Sequence, residues 1–208
     1  MIIRGGLPSL ARQCLASFAT ICLNKAAGSY NDAAVAAMSI VQRIMMFGAS
    51  TVIGFGQGFQ PVCGFNFGAG LYQRVRQGFW FCIKLSLVFL TAVSALMFIF
   101  APEMISWFQS DAEVIRYGTL ALRFQCISFP AHSWIVMSNM MEQSMGRTVP
   151  ATFLSVARQG VFFIPMVLIL PLFVDILGVQ MAQSAADVLT FLCALPIQLY
   201  VLKHLEKM

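Results

Sequence analysis

Charged residues are scarce in this sequence of 208 residues. Asp, Glu, Lys and Arg make up 10% of the chain, whereas 59% of the residues are hydrophobic and the mean hydropathy is +0.81. A soluble domain has roughly a quarter of its residues charged. The shortage of charge therefore excludes an ordinary soluble domain and indicates a protein whose solvent is lipid.

Motifs of nucleotide-binding and catalytic sites are also missing. The glycine-rich stretch GFGQGFQPVCGFNFGAG, residues 54–70, has no Gly-Lys-Ser/Thr end, and Phe59 stands where a G-x-G-x-x-G motif needs its last glycine. The sequence has no HExxH zinc motif, no paired Asn-Pro-Ala motifs and no credible Ser/His or paired-Asp arrangement; its histidines are His132 and His204. We therefore predict that the protein is not an enzyme and has no nucleotide or metal site.

The cysteines show no paired spacing. All of them lie in or beside apolar stretches: Cys14, Cys22, Cys63, Cys82, Cys126 and Cys193. Isolated cysteines in such surroundings behave as small hydrophobic residues. We expect neither a disulfide framework nor a metal centre.

Long apolar stretches dominate what is present. A transmembrane helix needs about 20 mostly apolar residues, and six such stretches follow one another with short connections. They comprise about residues 7–27, 34–60, 78–100, 116–140, 150–172 and 178–202. The sequence thus predicts an all-α, polytopic membrane protein in which residues 1–208 form a single six-helix transmembrane domain.

The net charge of +5 reflects orientation in the membrane rather than nucleic-acid binding. The connections on the side of both termini carry the basic residues Arg4, Arg74, Arg76, Arg147, Lys203 and Lys207. The opposite side carries Asp32, Glu103, Asp111, Glu113 and Asp175, with Lys25 and Arg116 only at span edges. Because short cytoplasmic loops retain Lys and Arg, we expect both termini to be cytoplasmic. The first span contains Arg12 and shows no cleavable signal peptide.

The glycine-rich stretch closes the second span. Small residues four apart, at Gly54/Gly58 and Gly64/Gly68, favour close helix packing in lipid, and Pro61 is expected to kink or break the helix. Packing alone is one interpretation. The other is that the amides of Gln57, Gln60 and Asn66 face a polar cavity.

The fourth span is rich in methionine and polar groups. Met137, Asn139 and Met140 lie toward its inner end, with Met141 and Met145 beyond them. Methionine adapts to varied apolar partners, so these side chains form either a promiscuous binding face or ordinary core. His132 either titrates near neutrality or, as the favoured interpretation, is a hydrogen-bonded histidine that packs between helices.

Four charges lie deep in predicted spans: Arg43, Arg123, Arg158 and Asp187. An ionised group near the bilayer centre costs roughly 2.5–3.5 kcal/mol on insertion scales, so it usually has a partner or faces water. The arginines either snorkel or face negative charge from a partner, another half of the protein, an anionic lipid or a ligand. Asp187 is a proton carrier or, as the favoured interpretation, the ion-pair partner of Arg158.

Together these motifs resemble the MATE (multi antimicrobial extrusion) multidrug efflux transporters. The resemblance rests on GLPSLARQCLASFATICLNKAAGSYND, on IVQRIMMFGASTVIGFGQGFQPVCGFNFGAG followed by RV, on EQSMGRTVPATFLSVARQGVFFIPMVLILP and on AADVLTF. These stretches are similar to the carboxy-terminal half of the family, in its MepA-like bacterial branch, and cover essentially the whole chain in order.

The resemblance implies one six-helix lobe of a twelve-helix antiporter in the bacterial plasma membrane. Such a transporter exports cationic or amphipathic drugs in exchange for protons or sodium by alternating access. It implies a cavity wall of Gln57, Gln60, Asn66, Met137, Asn139 and Met140, and an amino-terminal lobe or a second six-helix chain as partner. Membrane lipid is a further expected partner.

One departure from the family pattern bears on coupling. Some relatives place carboxylates in the first and fourth helices of this lobe, whereas here those spans offer only Glu142, at the cytoplasmic margin. No organic cofactor is expected, and the site of the coupling cation is expected to lie outside this chain. A truncated, nonfunctional remnant and a self-sufficient six-helix channel remain as alternatives.

Overall fold

The chain is helical throughout its described length. The computed structural model describes the backbone of residues 2–207 and the side chains of residues 13–206, so the predicted roles of the Arg4, Arg12 and Lys207 side chains lie outside the described residues. The α-helices are α1 (Ile2–Gly28), α2 (Asp32–Gly68), α3 (Tyr72–Ile99), α4 (Ala101–Ser106), α5 (Ala112–Ser128), α6 (Ala131–Ser144), α7 (Thr148–Val156), α8 (Phe163–Ile169) and α9 (Pro171–Lys203). A π-helical segment (Ala157–Phe162) joins α7 to α8, and a 3-10 turn (Leu205–Lys207) follows α9.

Each predicted span coincides with helix. Four segments within residues 2–207 are long and apolar enough to cross a membrane by length and composition: Asp32–Gly68, Tyr72–Ile99, Thr148–Ile169 and Pro171–Lys203. The first and fourth predicted spans correspond to α1 and to the pair α5 and α6, which is divided at Phe129 and Pro130. The all-α class is therefore confirmed, and the crossing of all six spans stays a prediction.

Side-chain caps start two of the helices, α2 and α5. The Asn31 side chain accepts a hydrogen bond from the Ala34 backbone N–H at 2.8 Å and caps α2, and Asp111 accepts one from the Glu113 N–H at 2.8 Å and caps α5. Gly70 and Gly146, with φ of 72° and 75°, form the turns after α2 and α6. The turns thus lie where the sequence places its short connections.

Pro61 does not end its helix. The helix α2 runs from Asp32 to Gly68 and includes both Pro61 and most of the glycine-rich stretch. A break at Pro61 is therefore wrong, and the alternative, a kink at Pro61, stays a prediction. The helix is longer than the predicted second span because the residues that follow that span remain helical up to Gly68.

The helix α2 packs against α1, α3, α5 and α6 and leaves one face open. Two apolar clusters lie along it. One includes Ala37 and Val41 near its start, and the other includes Phe59 and Cys63 near its end. Polar side chains of α6, the π-helical segment and α9 lie beside these clusters and form the site described next.

Candidate functional site

A cavity of about 80 Å³ lies between α2, α6, α7 and the π-helical segment. Its polar lining consists of His132, Asn139, Ser155, Arg158 and Gln159, and its apolar lining consists of Ile53, Ile135, Val136, Met140 and Leu154. Apolar walls with a few convergent polar groups are typical of small-molecule sites, which measure roughly 300–1,000 Å³ for drug-sized ligands. The cavity is thus too small to enclose such a ligand by itself.

Asn139 is the polar centre of this cavity. Its Nδ2 donates to the Ala151 carbonyl oxygen at 2.7 Å and to Ser155 Oγ at 2.9 Å, which joins α6 to α7. Its Oδ1 accepts from Gln143 Nε2 at 2.5 Å, and Gln143 Oε1 lies 3.5 Å from Gln60 Nε2 of α2. A chain of amides therefore connects three elements across the site.

Arg158 and Asp187 form an ion pair beside the cavity. Arg158 Nε donates to Asp187 Oδ1 at 2.7 Å, and Gln183 Nε2 donates to the same oxygen at 3.0 Å. The Asp187 side chain is 5% exposed and that of Arg158 is 25% exposed. Because Arg158 belongs to the π-helical segment and Asp187 to α9, the pair ties the cavity wall to the last helix.

The π-helical segment sets the position of Arg158. A π-turn widens the helix by one residue and is often found at functional sites. Here it comprises Ala157–Phe162 and presents two successive polar residues, Arg158 and Gln159, to the same cavity. Nothing in the sequence pattern predicted this irregularity.

The predicted cavity methionines have different surroundings. Met140 lines the cavity, whereas Met137 is fully buried in the apolar cluster near the end of α2. Both lie against Gly56 of α2: a Cβ at that position would overlap Met140 Sδ and would lie 3.2 Å from Met137 Cε. The absence of a side chain at Gly56 therefore lets α6 pack closely on α2.

The amides predicted on α2 do not converge in this cavity. Gln57 is exposed on the surface of α2, and Asn66 Nδ2 donates to the Val62 carbonyl oxygen of its own helix at 2.8 Å. Gln60 is half-buried and reaches the site only through Gln143. Of the six predicted cavity residues, Asn139 and Met140 line the cavity described here.

The close packing predicted at Gly54 and Gly58 is absent from the described part of the chain. A Cβ at Gly54, Gly58 or Gly68 would meet no atom within 4 Å, so the expectation was wrong for these positions within this chain, whereas a Cβ at Gly64 would lie 3.4 Å from the Ser144 carbonyl oxygen of α6. Among the glycines of α2, Gly56 makes the closest approach to a neighbouring helix, on a different face from Gly54 and Gly58. Helical periodicity separates the two faces because residues four apart share one face and residues two apart do not.

The remaining predicted charges are more accessible. Arg43 is exposed at the surface of α2. Arg123 is half-buried and lies over the Phe98 ring, with its Cζ 5.4 Å from the ring centroid.

His132 is buried, 3% exposed, and stacks on Phe129 with ring centroids 6.0 Å apart.

Glu142 lies two residues beyond the predicted fourth span, close to the inner end of α6. Its side chain is fully buried, and neither carboxylate oxygen has a hydrogen-bond partner. Arg147 Nη1 lies 3.5 Å from its Oε2. Burial raises the pKa of Glu142 to about 7, and the positive charge of Arg147 opposes that rise.

Three polar residues that line the cavity or link its walls were not found by the sequence analysis: Gln143, Ser155 and Gln159. A helical-face argument would have found Gln143, which follows Asn139 by four residues, and Ser155, which precedes Arg158 by three. Gln159 reaches the cavity through the π-helical segment. Among the described residues, no group of three or more His, Cys, Asp or Glu side chains is placed to hold a metal ion.

Comparison with known proteins identifies the family. The sequence model of the family described as MatE matches residues 8–169. The chain belongs to the MatE family. The multidrug export protein MepA of Staphylococcus aureus (strain NCTC 8325 / PS 47) is 25% identical over 202 residues, which cover 96% of this MatE chain and 43% of MepA. The chain therefore spans about half the length of the curated relatives it matches.

Solved MATE structures share the fold of this MatE chain. A crystal structure of MATE in the straight conformation has a TM-score of 0.93 at 22% identity and covers 100% of this chain and 47% of its own. The Vibrio cholerae MATE transporter VcmN in the bent form has a TM-score of 0.88 at 21% identity, with coverages of 96% and 46%. The MatE chain is thus a multi-pass membrane protein of a transporter family and is not an enzyme.

Proposed function

We propose that this chain forms one six-helix lobe of a transporter that exports cationic or amphipathic drugs by alternating access, in exchange for protons or sodium. The observation that carries the proposal is the small polar cavity around Asn139 and Arg158, in a chain that matches about half of a multidrug export protein. We further propose a bacterial plasma membrane location with both termini cytoplasmic.

The size of the cavity supports a shared substrate site. At about 80 Å³ it is several times smaller than the ~300 Å³ at the low end for drug-sized ligands. A second lobe that faces α2 and α6 would add the missing walls. Met140 would then provide an adaptable apolar contact, and Asn139 a polar contact for the substrate.

The open face of α2 supports a place for that second lobe. Gly54 and Gly58 meet no described atom, and Phe47 and Phe65 on the same side are 85% and 77% exposed. Small residues let a second helix approach the backbone closely in lipid, where apolar burial does not drive association. Gln57 lies on this open side and would face the shared site.

Coupling would depend on the partner lobe. Asp187 is held by Arg158 and Gln183, so its charge is already neutralised within this chain. Because both contacts of Asp187 are made within this chain, they favour a structural role for this residue over exchange of the coupling proton. The coupling cation would then bind outside the described residues.

Co-expression tests the proposal. The chain would be produced in a drug-sensitive bacterium alone, with the amino-terminal half of a MepA-type exporter, and as a fusion with that half. Efflux of a fluorescent lipophilic cation is expected only with the second half, and the fusion is expected to show the highest rate. Collapse of the proton gradient or of the sodium gradient would then identify the coupling ion.

Matched variants identify the site. Asn139→Leu is expected to reduce efflux by the fusion, and Gly54→Leu with Gly58→Leu is expected to weaken assembly of the halves. Two exposed positions of α3 serve as controls: Gln73→Leu replaces an amide with an apolar side chain, and Ala92→Leu adds bulk. Absence of efflux in every arrangement, with both halves stably inserted, would favour a nonfunctional remnant and would overturn the proposal.

A further inference from the structure

Arg123 of α5 has no acidic partner among the described residues. Its Nε donates to the Phe98 carbonyl oxygen at 3.4 Å, and its guanidinium lies over the Phe98 ring. The ion pairs within residues 13–206 are Arg147 with Glu142 and Arg158 with Asp187. The positive charge of Arg123 is therefore not neutralised by the described part of the chain.

The guanidinium lies near one end of the bundle. Arg123 is seven residues inside the predicted fourth span, about 10 Å at 1.5 Å per residue. A helical side chain leans toward the N-terminus of its helix, which for α5 is the Ala112 end. Its partner Phe98 is the penultimate residue of α3. The charge thus lies at the depth where basic side chains reach lipid headgroups.

An apolar groove begins at the same place. It has a volume of about 280 Å³ and lies between α3 and α5, and its lining residues are Thr91, Ser94, Ala95, Phe98, Ile99, Cys126 and Ile127. From Phe98 to Thr91 it follows α3 for two turns, about 10 Å. Ser94 Oγ donates to the Cys126 carbonyl oxygen at 2.5 Å, so this polar group is already satisfied.

We propose that Arg123 and the groove between α3 and α5 form a binding site for an anionic phospholipid. The phosphate binds the guanidinium and one acyl chain occupies the groove toward Thr91. Arginine forms paired hydrogen bonds with phosphate oxygens. Because no described carboxylate balances Arg123, a headgroup with a net negative charge is preferred over a zwitterionic one. An anionic phospholipid combines this charge with an apolar chain that leads away from it into the bilayer.

Lipid retention by the purified chain tests the proposal. The full chain would be extracted in detergent, exchanged into equal amounts of phosphatidylglycerol and phosphatidylethanolamine with identical acyl chains, and examined by native mass spectrometry. The unchanged chain is expected to retain phosphatidylglycerol preferentially. Arg123→Gln is expected to lower the ratio of bound phosphatidylglycerol to phosphatidylethanolamine about fivefold, which corresponds to about 1 kcal/mol per basic residue near a lipid surface. Arg116→Gln removes the same charge from the edge of the same span, outside the groove, and is expected to lower the ratio less than Arg123→Gln does.

A second variant tests the groove independently of charge. Ala95→Leu places bulk in the groove and is expected to lower retention of both lipids, whereas Ala92→Leu, exposed on the same helix outside the groove, is not. Equal retention of both lipids by the unchanged chain would overturn the proposal and would favour a carboxylate of a second lobe as the partner of Arg123. Unchanged retention in Ala95→Leu would also overturn it.

Discussion

Arg158 and Asp187 lie 29 residues apart in sequence and are joined by a 2.7 Å hydrogen bond between Arg158 Nε and Asp187 Oδ1. The bond links the π-helical segment to α9 across the bundle. Gln183 donates to the same carboxylate oxygen, so the aspartate is held from two directions. In a chain with so few charges, this pair positions the polar wall of the cavity.

Asp187→Asn is expected to destabilise the chain. Removal of one partner from a buried pair costs about 3–5 kcal/mol, and the 25% exposure of Arg158 lowers this toward about 2 kcal/mol because water screens the charge. Thermal unfolding in detergent would measure the loss. Arg158→Gln with Asp187→Asn is expected to recover part of it, since no uncompensated charge remains. Equal stabilities of the original chain and Asp187→Asn would show that the pair contributes nothing.

Efflux separates this structural role from proton transfer. If Asp187 only neutralises Arg158, the fusion carrying Asp187→Asn should still export drug in proportion to the amount of folded protein. Complete loss of export at normal membrane abundance would contradict the structural assignment. If the loss is only partial, a pH profile of the residual efflux distinguishes a proton carrier from a damaged cavity.

Glycine substitutions on α2 are expected to have opposite effects. Gly56→Ala places a Cβ against Met140 Sδ and should destabilise the chain by about 1–3 kcal/mol, the usual cost of overpacking. Gly54→Ala meets no atom and should stabilise α2 by up to about 1 kcal/mol through helix propensity. Thermal unfolding of both variants in the same detergent provides the comparison.

A compensating substitution checks the reason for this difference. Met140→Ala removes the overlapping side chain, so it should lessen the effect of Gly56→Ala and leave that of Gly54→Ala unchanged. If both glycine variants had the same effect, Gly56 would not be a packing contact.

Glu142 makes stability depend on pH. Its pKa is raised by burial from 4.5 to about 7, so the folded chain binds a proton that the unfolded chain has already released between these values. The contribution is fully present below pH 4.5 and is lost as the pH rises through about 7. The free energy of unfolding should fall by up to about 3 kcal/mol over that window, from 1.36 kcal/mol per pKa unit.

Amide-for-acid variants test this dependence. Glu142→Gln remains neutral at every pH and should remove the slope between pH 4.5 and 7. Glu206→Gln changes an exposed acid at the same end of the bundle and should retain the slope. A slope that persists in Glu142→Gln would assign the pH dependence to another group.

The Asn139 network provides a further test within this lobe. Asn139→Ala removes the two hydrogen bonds donated to Ala151 and Ser155 and the acceptor of Gln143 Nε2, and the loss of these bonds should cost about 1–3 kcal/mol. Gln73→Ala, an exposed amide on α3, should change the melting temperature little. Hydrogen exchange should increase in α7, since Asn139 holds that helix against α6. Unchanged exchange in α7 would contradict this role.

The sequence by itself determined the solvent of this protein and its family. A hydropathic stretch can be identified without knowing what it packs against, because about 20 apolar residues in a row must be buried in lipid or protein wherever they lie. The stretches around residues 54–70 and 142–171 preserve a family pattern along the chain. For the same reason the all-α class and the order of the helices were predictable, and Asn139 and Met140 could be proposed from their positions on one helix.

The tertiary structure alone decided which faces meet. From sequence, Gly54 and Gly58 were as suitable for packing as Gly56, yet only Gly56 faces Met140. Gln57 and Asn139 were equal candidates for the cavity, and the rotation of α2 turns Gln57 away from it. The place of Arg158 depends on a π-turn that shifts the helical register by one residue. Such contacts depend on how one helix is rotated against another, and in lipid hydropathy does not specify that rotation because both faces of a spanning helix are apolar.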